Sequence, residues 1–242
     1  MLNKQIALVI LNWNGKKFLE QFLPNVILHS KAAQIIVADN SSTDDSVNFL
    51  KNNYPDIQII NNPSNDGFAK GYNDALKNVI ADYYILLNSD VEVTANWIEP
   101  IIELMESNLE IAACQPKILD FKNKSNFEYA GAAGGFIDKY GYPFCRGRIF
   151  NDLESDNKQY NNSTEAFWAT GACMFVRAKS FWEVGGFDND YFAHMEEIDL
   201  CWRLKNIGFK IFVEPQSTVY HVGGGTLNKI NPKKTYLNFR NN

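Results

Sequence analysis

Three short runs of this 242-residue chain combine residue types that could do chemistry. Asn88-Ser89-Asp90 follows an apolar run at residues 84–87. A carboxylate at the end of a buried strand is well placed to hold a divalent cation that bridges two phosphates; an aspartate there can also do no more than cap a turn. His194-Met195-Glu196-Glu197-Ile198-Asp199 sets three carboxylates within four positions. Their repulsion calls for a nearby cation, or for one of them to act as a proton acceptor. Neighbours on a helix point about 100° apart, so only one of Glu196 and Glu197 can face a cleft. The alternative is an acidic first turn that complements the helix dipole. His221 enters the run Val222-Gly223-Gly224-Gly225-Thr226. It offers a ring nitrogen where backbone can approach a ligand closely, or is a plain strand-end histidine. His29 reads as surface and His194 as structural.

Two further segments fit a nucleotide. Asp39 can accept a hydrogen bond from a ribose hydroxyl or a pyrimidine imide N–H, and can also cap the helix that starts near Ser42. The loop at residues 65–73, Asn-Asp-Gly-Phe-Ala-Lys-Gly-Tyr-Asn, places two glycines before a helix, a plausible diphosphate or nucleoside contact. It is not a P-loop, because no G-K-[ST] is present. In the second half, Phe167, Trp168 and the tyrosine-bearing residues 140–162 offer faces suited to sugar. Phe167 and Trp168 serve equally well as core.

These groups need elements to position them. Apolar runs at residues 6–11, 35–38, 57–60 and 84–87 predict strands. Helical spacing lies between them, around 18–23, 47–50 and 72–80, and another helix is predicted at 97–105. The alternation predicts an α/β fold: a mostly parallel central sheet with helices on both faces. Ligands of such sheets lie outside the carboxyl ends of the strands, where Asp39 and Asp90 fall. Further on, 121–126 and 130–135 read as loop and turn, 172–176 and 209–213 as strands, and 196–206 as a helix. Asp199 and Arg203 are paired on that helix at i,i+4.

Composition narrows the function. The net charge of −5 argues against broad nucleic-acid binding. No secretory signal opens the chain and no apolar run is long enough to span a membrane. Cys114, Cys145, Cys173 and Cys201 form no C-x-x-C pair, so free thiols in a reducing cytoplasm are expected. No Pro/Gly/Ser-rich linker divides the chain. One domain over 1–242 is expected, with a nucleotide-sugar-binding half at about 1–115 and an acceptor-binding, catalytic half at about 116–242. The end of the chain, Lys233-Lys234-Thr235-Tyr236-Leu237-Asn238-Phe239-Arg240, mixes cations with aromatics. It reads as cut from a longer protein and as a peripheral membrane contact.

Taken in order, these motifs resemble a family 2 glycosyltransferase with the GT-A fold, in its rhamnosyltransferase-like branch. The resemblance runs through residues 9–15, 37–44, 65–73, 86–90, 170–174, 185–188, 196–203 and His221. It implies an inverting, metal-dependent enzyme. Such an enzyme would move a sugar from a UDP- or dTDP-sugar to a saccharide or lipid-linked acceptor of cell-surface polysaccharide. It would do so in the cytoplasm, at the inner face of the plasma membrane.

By the same resemblance, Asp39 holds the base. Asn12, Asn14, Ser41, Asp66, Gly67, Lys70, Asn73, Asn88 and Ser89 complete the nucleotide site. Asp90 and His221 hold Mn2+ or Mg2+, Glu197 is the general base, and Trp168, Thr170, Gly171 and Asp199 meet the acceptor. Two residues depart from the family pattern. Asn88 stands where the D-x-D motif begins, keeping an acceptor for ribose but no charge. Glu197 stands where Asp is usual, longer by one C–C bond of roughly 1.5 Å. Either the acceptor sits differently, or Glu196 or Asp199 is the base. Alternatives are a non-catalytic nucleotide-sugar-binding protein and a sugar nucleotidyltransferase. The second lacks its G-G-x-G-T-R loop after the first strand. A dinucleotide oxidoreductase is disfavoured by the missing G-x-G-x-x-G.

Overall fold

In the first strand, Ile6, Leu8 and Ile10 point to one face, and Ala7 and Val9 to the other. All five are buried, so both faces of this strand must be covered. The computed structural model describes residues 4–223 and 232–241 and shows what covers them. The first part of the chain runs β1 (Ile6–Asn12), α1 (Lys16–His29), β2 (Gln34–Asp39), α2 (Ser46–Asn53), β3 (Gln58–Asn61), α3 (Phe68–Leu76), β4 (Tyr83–Asn88), β5 (Val91–Val93), α4 (Glu99–Ser107) and β6 (Ile111–Asp120). The second part runs β7 (Gly135–Ile137), β8 (Pro143–Cys145), β9 (Arg148–Ile149), β10 (Asp152–Leu153), β11 (Thr164–Ala166), β12 (Cys173–Arg177), α5 (Ala178–Glu183), α6 (Glu196–Asn206), β13 (Lys210–His221) and α7 (Pro232–Asn241).

The main sheet has nine strands in the order β11-β13-β6-β12-β4-β1-β2-β3, with β5 added to β13. β3, β2, β1 and β4 are mutually parallel. β12 is inserted antiparallel between β4 and β6, and β13 returns parallel to β6. The mostly parallel α/β sheet expected from the repeat is therefore present. One core cluster packs α1, α2 and α4 on one face, through Leu19, Leu23, Leu50 and Ile101. The other packs α3, α5 and α6 on the opposite face, through Tyr72, Leu76, Phe181, Leu200 and Leu204. The winding reverses between β1 and β4, where the carboxyl ends diverge and a crevice opens. Asn12, Asp39 and Asn88 are the last residues of β1, β2 and β4.

Several boundaries differ from the sequence reading. The division near residue 115 falls inside β6, and strands of both halves share one sheet. α3 starts at Phe68, four residues earlier than the periodicity placed it, because the Phe68 N–H is anchored on the Phe192 carbonyl at 2.7 Å. The strand expected at 209–213 continues to His221, carried through a register shift by pairing with β6. All four cysteines are free and buried. Among the described residues, no helix is long and apolar enough to cross a membrane.

The irregular residues 121–162 are fastened back to β6 by one buried ion pair. Lys117 Nζ lies 2.7 Å from Asp156 Oδ2 and 2.7 Å from Asn161 Oδ1. The two charged side chains are only 7% and 12% exposed. Removing one partner of such a pair strands the other in a poorly solvated site. Lys117→Met should lower unfolding free energy by about 3–5 kcal/mol in urea titration and make this segment the first site of limited proteolysis. A shift below about 1 kcal/mol, the scale of an exposed pair, would show that it contributes no more than a surface contact.

Candidate active site at the carboxyl ends of the strands

The loops after β1 and β2 are stitched together by side chains. Asn12, fully buried, donates from Nδ2 to Asp39 Oδ1 at 2.9 Å. The Ser42 hydroxyl donates to Asp39 Oδ1 at 2.7 Å and the Ser42 N–H to Oδ2 at 2.8 Å. Asp39 thus closes an Asx-type turn; α2 itself starts at Ser46, so the expected helix cap is a turn cap instead. Asn14 Oδ1 accepts the N–H groups of Thr43 and Asp44 at 2.7 and 3.1 Å. Gly15 lets the β1 loop approach β4. A Cβ there would lie 2.4 Å from Asn12 Oδ1 and 3.4 Å from Ser89 Oγ. Asn12 Oδ1 is buried with no hydrogen-bond partner among the described residues, so an acceptor is left over at the floor of the crevice. Ser41 is exposed beside it, with φ of 58°.

The remaining nucleotide candidates lie around α3. Gly67, at φ of 97°, passes its carbonyl to Asn40 Nδ2 at 2.9 Å. Asp66 and Asp74 both pair with Lys70, at 3.1 and 2.5 Å, so the Lys70 charge is shared on the helix surface. Asn73 is a correction. It is buried, and it spends both N–H donors on Phe187 O (2.7 Å) and Asn189 Oδ1 (2.8 Å). Its carbonyl accepts the Phe187 N–H. It holds the loop that leads into α6 and has no donor left for a ligand.

Asp90 and His221 meet at the end of β4. β13 pairs with β5 so that His221 stands opposite Val91, and the Val222 N–H donates to the Asp90 carbonyl at 3.1 Å. His221 Nε2 is 3.2 Å from Asp90 Oδ1, and Nδ1 is 3.4 Å from Glu128 Oε1. All three residues are buried. Burial by itself would lower the His221 pKa, but the facing charges of Asp90 and Glu128 outweigh it and raise the pKa to about 10. Burial likewise opposes ionisation of Asp90, and the neighbouring imidazolium reverses this and lowers its pKa. Without a metal, a protonated ring is the cation between two buried acids.

Asp90 and His221 together offer an oxygen and a nitrogen donor, a pair that would suit a hard divalent ion. No larger cluster of His, Cys, Asp and Glu is grouped as a metal site among the described residues. Gly224, Gly225 and Thr226 lie outside the described residues.

Glu196 and Glu197 open α6 after two left-handed residues, His194 (φ 70°) and Met195 (φ 74°). Such backbone is costly for side chains with a Cβ and clusters at functional sites. Glu196 is 5% exposed. Its pKa is driven well up by desolvation first and by the Glu197 charge second. The Glu197 pKa is also raised, by desolvation, against hydrogen bonds from backbone N–H groups that include Gly171. Oε2 of each carboxylate is buried without a hydrogen-bond partner among the described residues.

Bonded neighbours connect Glu197 to Asp90. Gly171 is followed by Ala172, whose carbonyl accepts the Asn88 N–H at 3.0 Å. Asn88 and Ser89, both half-buried, lead straight into Asp90. Before Gly171, the Thr170 hydroxyl donates to Ala130 O at 3.0 Å, and the Ala130 N–H donates to Glu128 Oε2 at 2.5 Å.

Three acceptor candidates are otherwise engaged. Trp168 is buried with its ring on Gly135, where a Cβ would lie 2.0 Å from the indole, and Nε1 donates to Phe136 O. It is core and not a sugar platform. Thr170 is buried and bonded as above. Asp199 takes Arg203 Nε at 2.9 Å and Nη2 at 2.5 Å, the pairing read from the i,i+4 spacing. That guanidinium neutralises it and argues against Asp199 as base.

At the chain end, Arg240 and Asn241 of α7 bond to Asp190 O, Ala193 O and His194 O, the loop that precedes Glu196. Tyr236 and Phe239 are exposed, and the side chains of Lys233 and Lys234 lie outside what is described. Glu128 and Gln115 escape sequence reasoning. Both lie where no motif marks them, and their roles come only from what they touch: His221 for Glu128, and the Thr170 N–H (3.0 Å) for Gln115.

Comparison with known proteins agrees with this geometry. Residues 7–185 match Glycosyl transferase family 2. The chain is 25% identical over 235 residues to the N-acetylglucosaminyl-diphospho-decaprenol L-rhamnosyltransferase of Mycobacterium tuberculosis, covering 89% of this chain and 75% of that protein. It is 24% identical over 225 residues to Rhamnosyltransferase WbbL of Escherichia coli K12, covering 89% and 83%. In fold it is similar to the crystal structure of GalNAc-T7 with UDP, GalNAc and Mn2+. There the TM-score is 0.71 at 17% identity, over 91% of this chain but only 44% of that one. The motifs at the strand ends and the match over most of the chain lead to one conclusion: this protein belongs to glycosyl transferase family 2 and has the GT-A fold.

Proposed function

We propose that the protein transfers a sugar, with inversion, from a nucleotide-diphosphate donor to a saccharide or lipid-linked saccharide acceptor. The observation that carries this reading is the convergence described above. A buried acid–imidazole pair and a buried carboxylate with an open acceptor lie along the end of one strand, linked through Asn88, Ala172 and Gly171. The rhamnosyltransferase names of two relatives favour a deoxyhexose donor and a lipid-linked acceptor. The Mn2+ of the similar structure favours a divalent ion.

In this reading Asp39 and Asn12 receive the nucleoside, Asn88 and Ser89 line the ribose and diphosphate, and Asp90 with His221 would hold Mn2+ or Mg2+. A bound ion supplies positive charge to the leaving diphosphate, worth several kcal/mol in the transition state. Glu197 takes the proton of the acceptor hydroxyl, which attacks the anomeric carbon from the face opposite the diphosphate. A carboxylate with a raised pKa is a better match to a hydroxyl proton than an exposed one. Glu196, more deeply buried, stays protonated beside it and limits repulsion in the pair. The whole chain, with its two halves meeting in one sheet, acts as one catalytic unit.

Three outcomes test the reading. A thermal-shift panel of UDP, dTDP, GDP and CDP should give a metal-dependent rise in Tm with UDP or dTDP. The stabilisation should reach about 2.7 kcal/mol at a 100-fold excess over Kd. No shift with any nucleotide in the presence of Mn2+ would remove the donor site. Glu197→Gln should retain that shift while kcat falls by about 10²–10⁴-fold. The wild-type kcat/KM should have a rising limb above the ordinary glutamate value of about 4.3; near-normal turnover of the variant would exclude Glu197 as base.

The third outcome concerns Glu196. Its folded-state pKa is raised, so the stability it permits is fully present below the unfolded value of about 4.3 and is lost as pH rises through the folded value. Glu196→Gln should therefore match the wild type in Tm near pH 4 and exceed it at pH 8. An equal offset at both pH values would show that the buried charge is not the cause.

A further inference from the structure

Glu128 belongs to none of the motifs that mark the site, yet it is 4% exposed and faces the ring of His221. The two nitrogens of that ring look at different acids. Nε2 is 3.2 Å from Asp90 Oδ1, in the residue that follows half-buried Ser89. Nδ1 is 3.4 Å from Glu128 Oε1. It is buried, and among the described residues no hydrogen bond is closed to it. Glu128 cannot swing away freely: its other oxygen, Oε2, accepts the Ala130 N–H at 2.5 Å, and the Glu128 N–H donates to Ile118 O at 3.1 Å. The carboxylate is thus held from β6 and faces the ring nitrogen that has no closed hydrogen bond among the described residues.

We infer that Glu128 is a positioning residue: it takes the Nδ1–H of His221 and so turns Nε2, with its lone pair free, toward Asp90 and the divalent ion. A histidine that binds a metal through one nitrogen normally donates the other N–H to a carboxylate or carbonyl, which fixes the tautomer and raises ligand basicity. The inference rests on the reading of Asp90 and His221 as metal ligands, and adds the residue that selects which nitrogen binds. Glu128 itself stays on the far side of the ring from Asp90 and makes no bond to the ion.

The test uses the whole chain and two metals as probes. Mn2+ binding, followed by loss of the free-ion electron paramagnetic resonance signal, should weaken about 10–100-fold in Glu128→Ala. It should weaken by less in Glu128→Gln, which keeps an acceptor but loses the charge. The chain has only three histidines, so 15N-histidine spectra with Mg2+ can resolve His221. The wild type should show Nδ1 protonated and Nε2 coordinated, and Glu128→Ala a mixture of tautomers. Thermal melts check that the variants fold; if Glu128→Ala does not, Glu128→Gln decides.

Unchanged Mn2+ affinity in the folded Glu128 variants, with loss of binding in Asp90→Asn, would overturn this inference alone. So would coordination through Nδ1. Wild-type protein that binds no Mn2+, or an Asp90→Asn variant that binds it normally, would overturn the metal reading and this inference with it.

Discussion

The contact between Asp90 and His221 is the constraint around which the rest of the site is built. Burying a carboxylate is costly unless a cation compensates it. Here the compensating ring arrives from the far end of the chain. Asp90 lies two residues beyond the end of β4, whereas His221 ends β13, the longest strand of the sheet. For the two to meet, β13 must run parallel to β6, pair with β5 and stop at the level of Val91. The insertion of β12 between β4 and β6 sets the spacing between these edges and brings Gly171 and Ala172 to the same end. One ion pair thus records the correct closure of both halves.

The acidic start of α6 follows a different logic. For Glu196 and Glu197 it is burial, first of all, that raises the pKa. The sequence signal, several acids in one turn, admits a solvated N-terminal turn as readily as a site. Burial decides between them, and burial is set by the loop before the helix. His194 and Met195 take left-handed backbone. Their loop is fastened by Asn73 through Phe187 and Asn189 on one side and by Asn241 of α7 on the other. Asp199, one helical turn on, escapes this environment because Arg203 neutralises it. Three carboxylates of one short run therefore sit in three environments: Glu196 buried, Glu197 held by backbone N–H groups, and Asp199 paired with Arg203.

How legible this was in the sequence varied with the range of the interactions. The strand–helix alternation of the first half could be read, because each element there is specified by local apolar spacing and each strand end by a polar turn. β6 could not. Gln115, Pro116 and Lys117 interrupt its apolar run, and they look like a loop until their partners at Gly131, Thr170, Asp156 and Asn161 are known. Trp168 fails for the opposite reason: an aromatic before a Gly-containing motif suggests a sugar platform, and only Gly135 on the opposing strand shows that the ring is packed. Asn73 was misread because an amide in a polar loop advertises hydrogen bonds without saying to whom. Glu128 carries no local signal at all.

The two departures from the family pattern are physically coupled to their surroundings. At the start of the D-x-D position stands Asn88, two residues before Asp90, which with Glu128 already sets two acids around one imidazole. A further carboxylate there would add like charge beside two acids that face one imidazole, which is destabilising. An amide keeps the acceptor and donor and adds no charge. At the base position, the longer Glu197 needs room that an aspartate would not. Beside it, Gly171 makes room chiefly for Phe68: a Cβ built on Gly171 would lie 3.2 Å from Phe68 Cζ, but at an ordinary contact distance of 3.9 Å from Glu197 Cδ. With no side chain at 171, the carboxylate can lie against backbone whose N–H groups steady it.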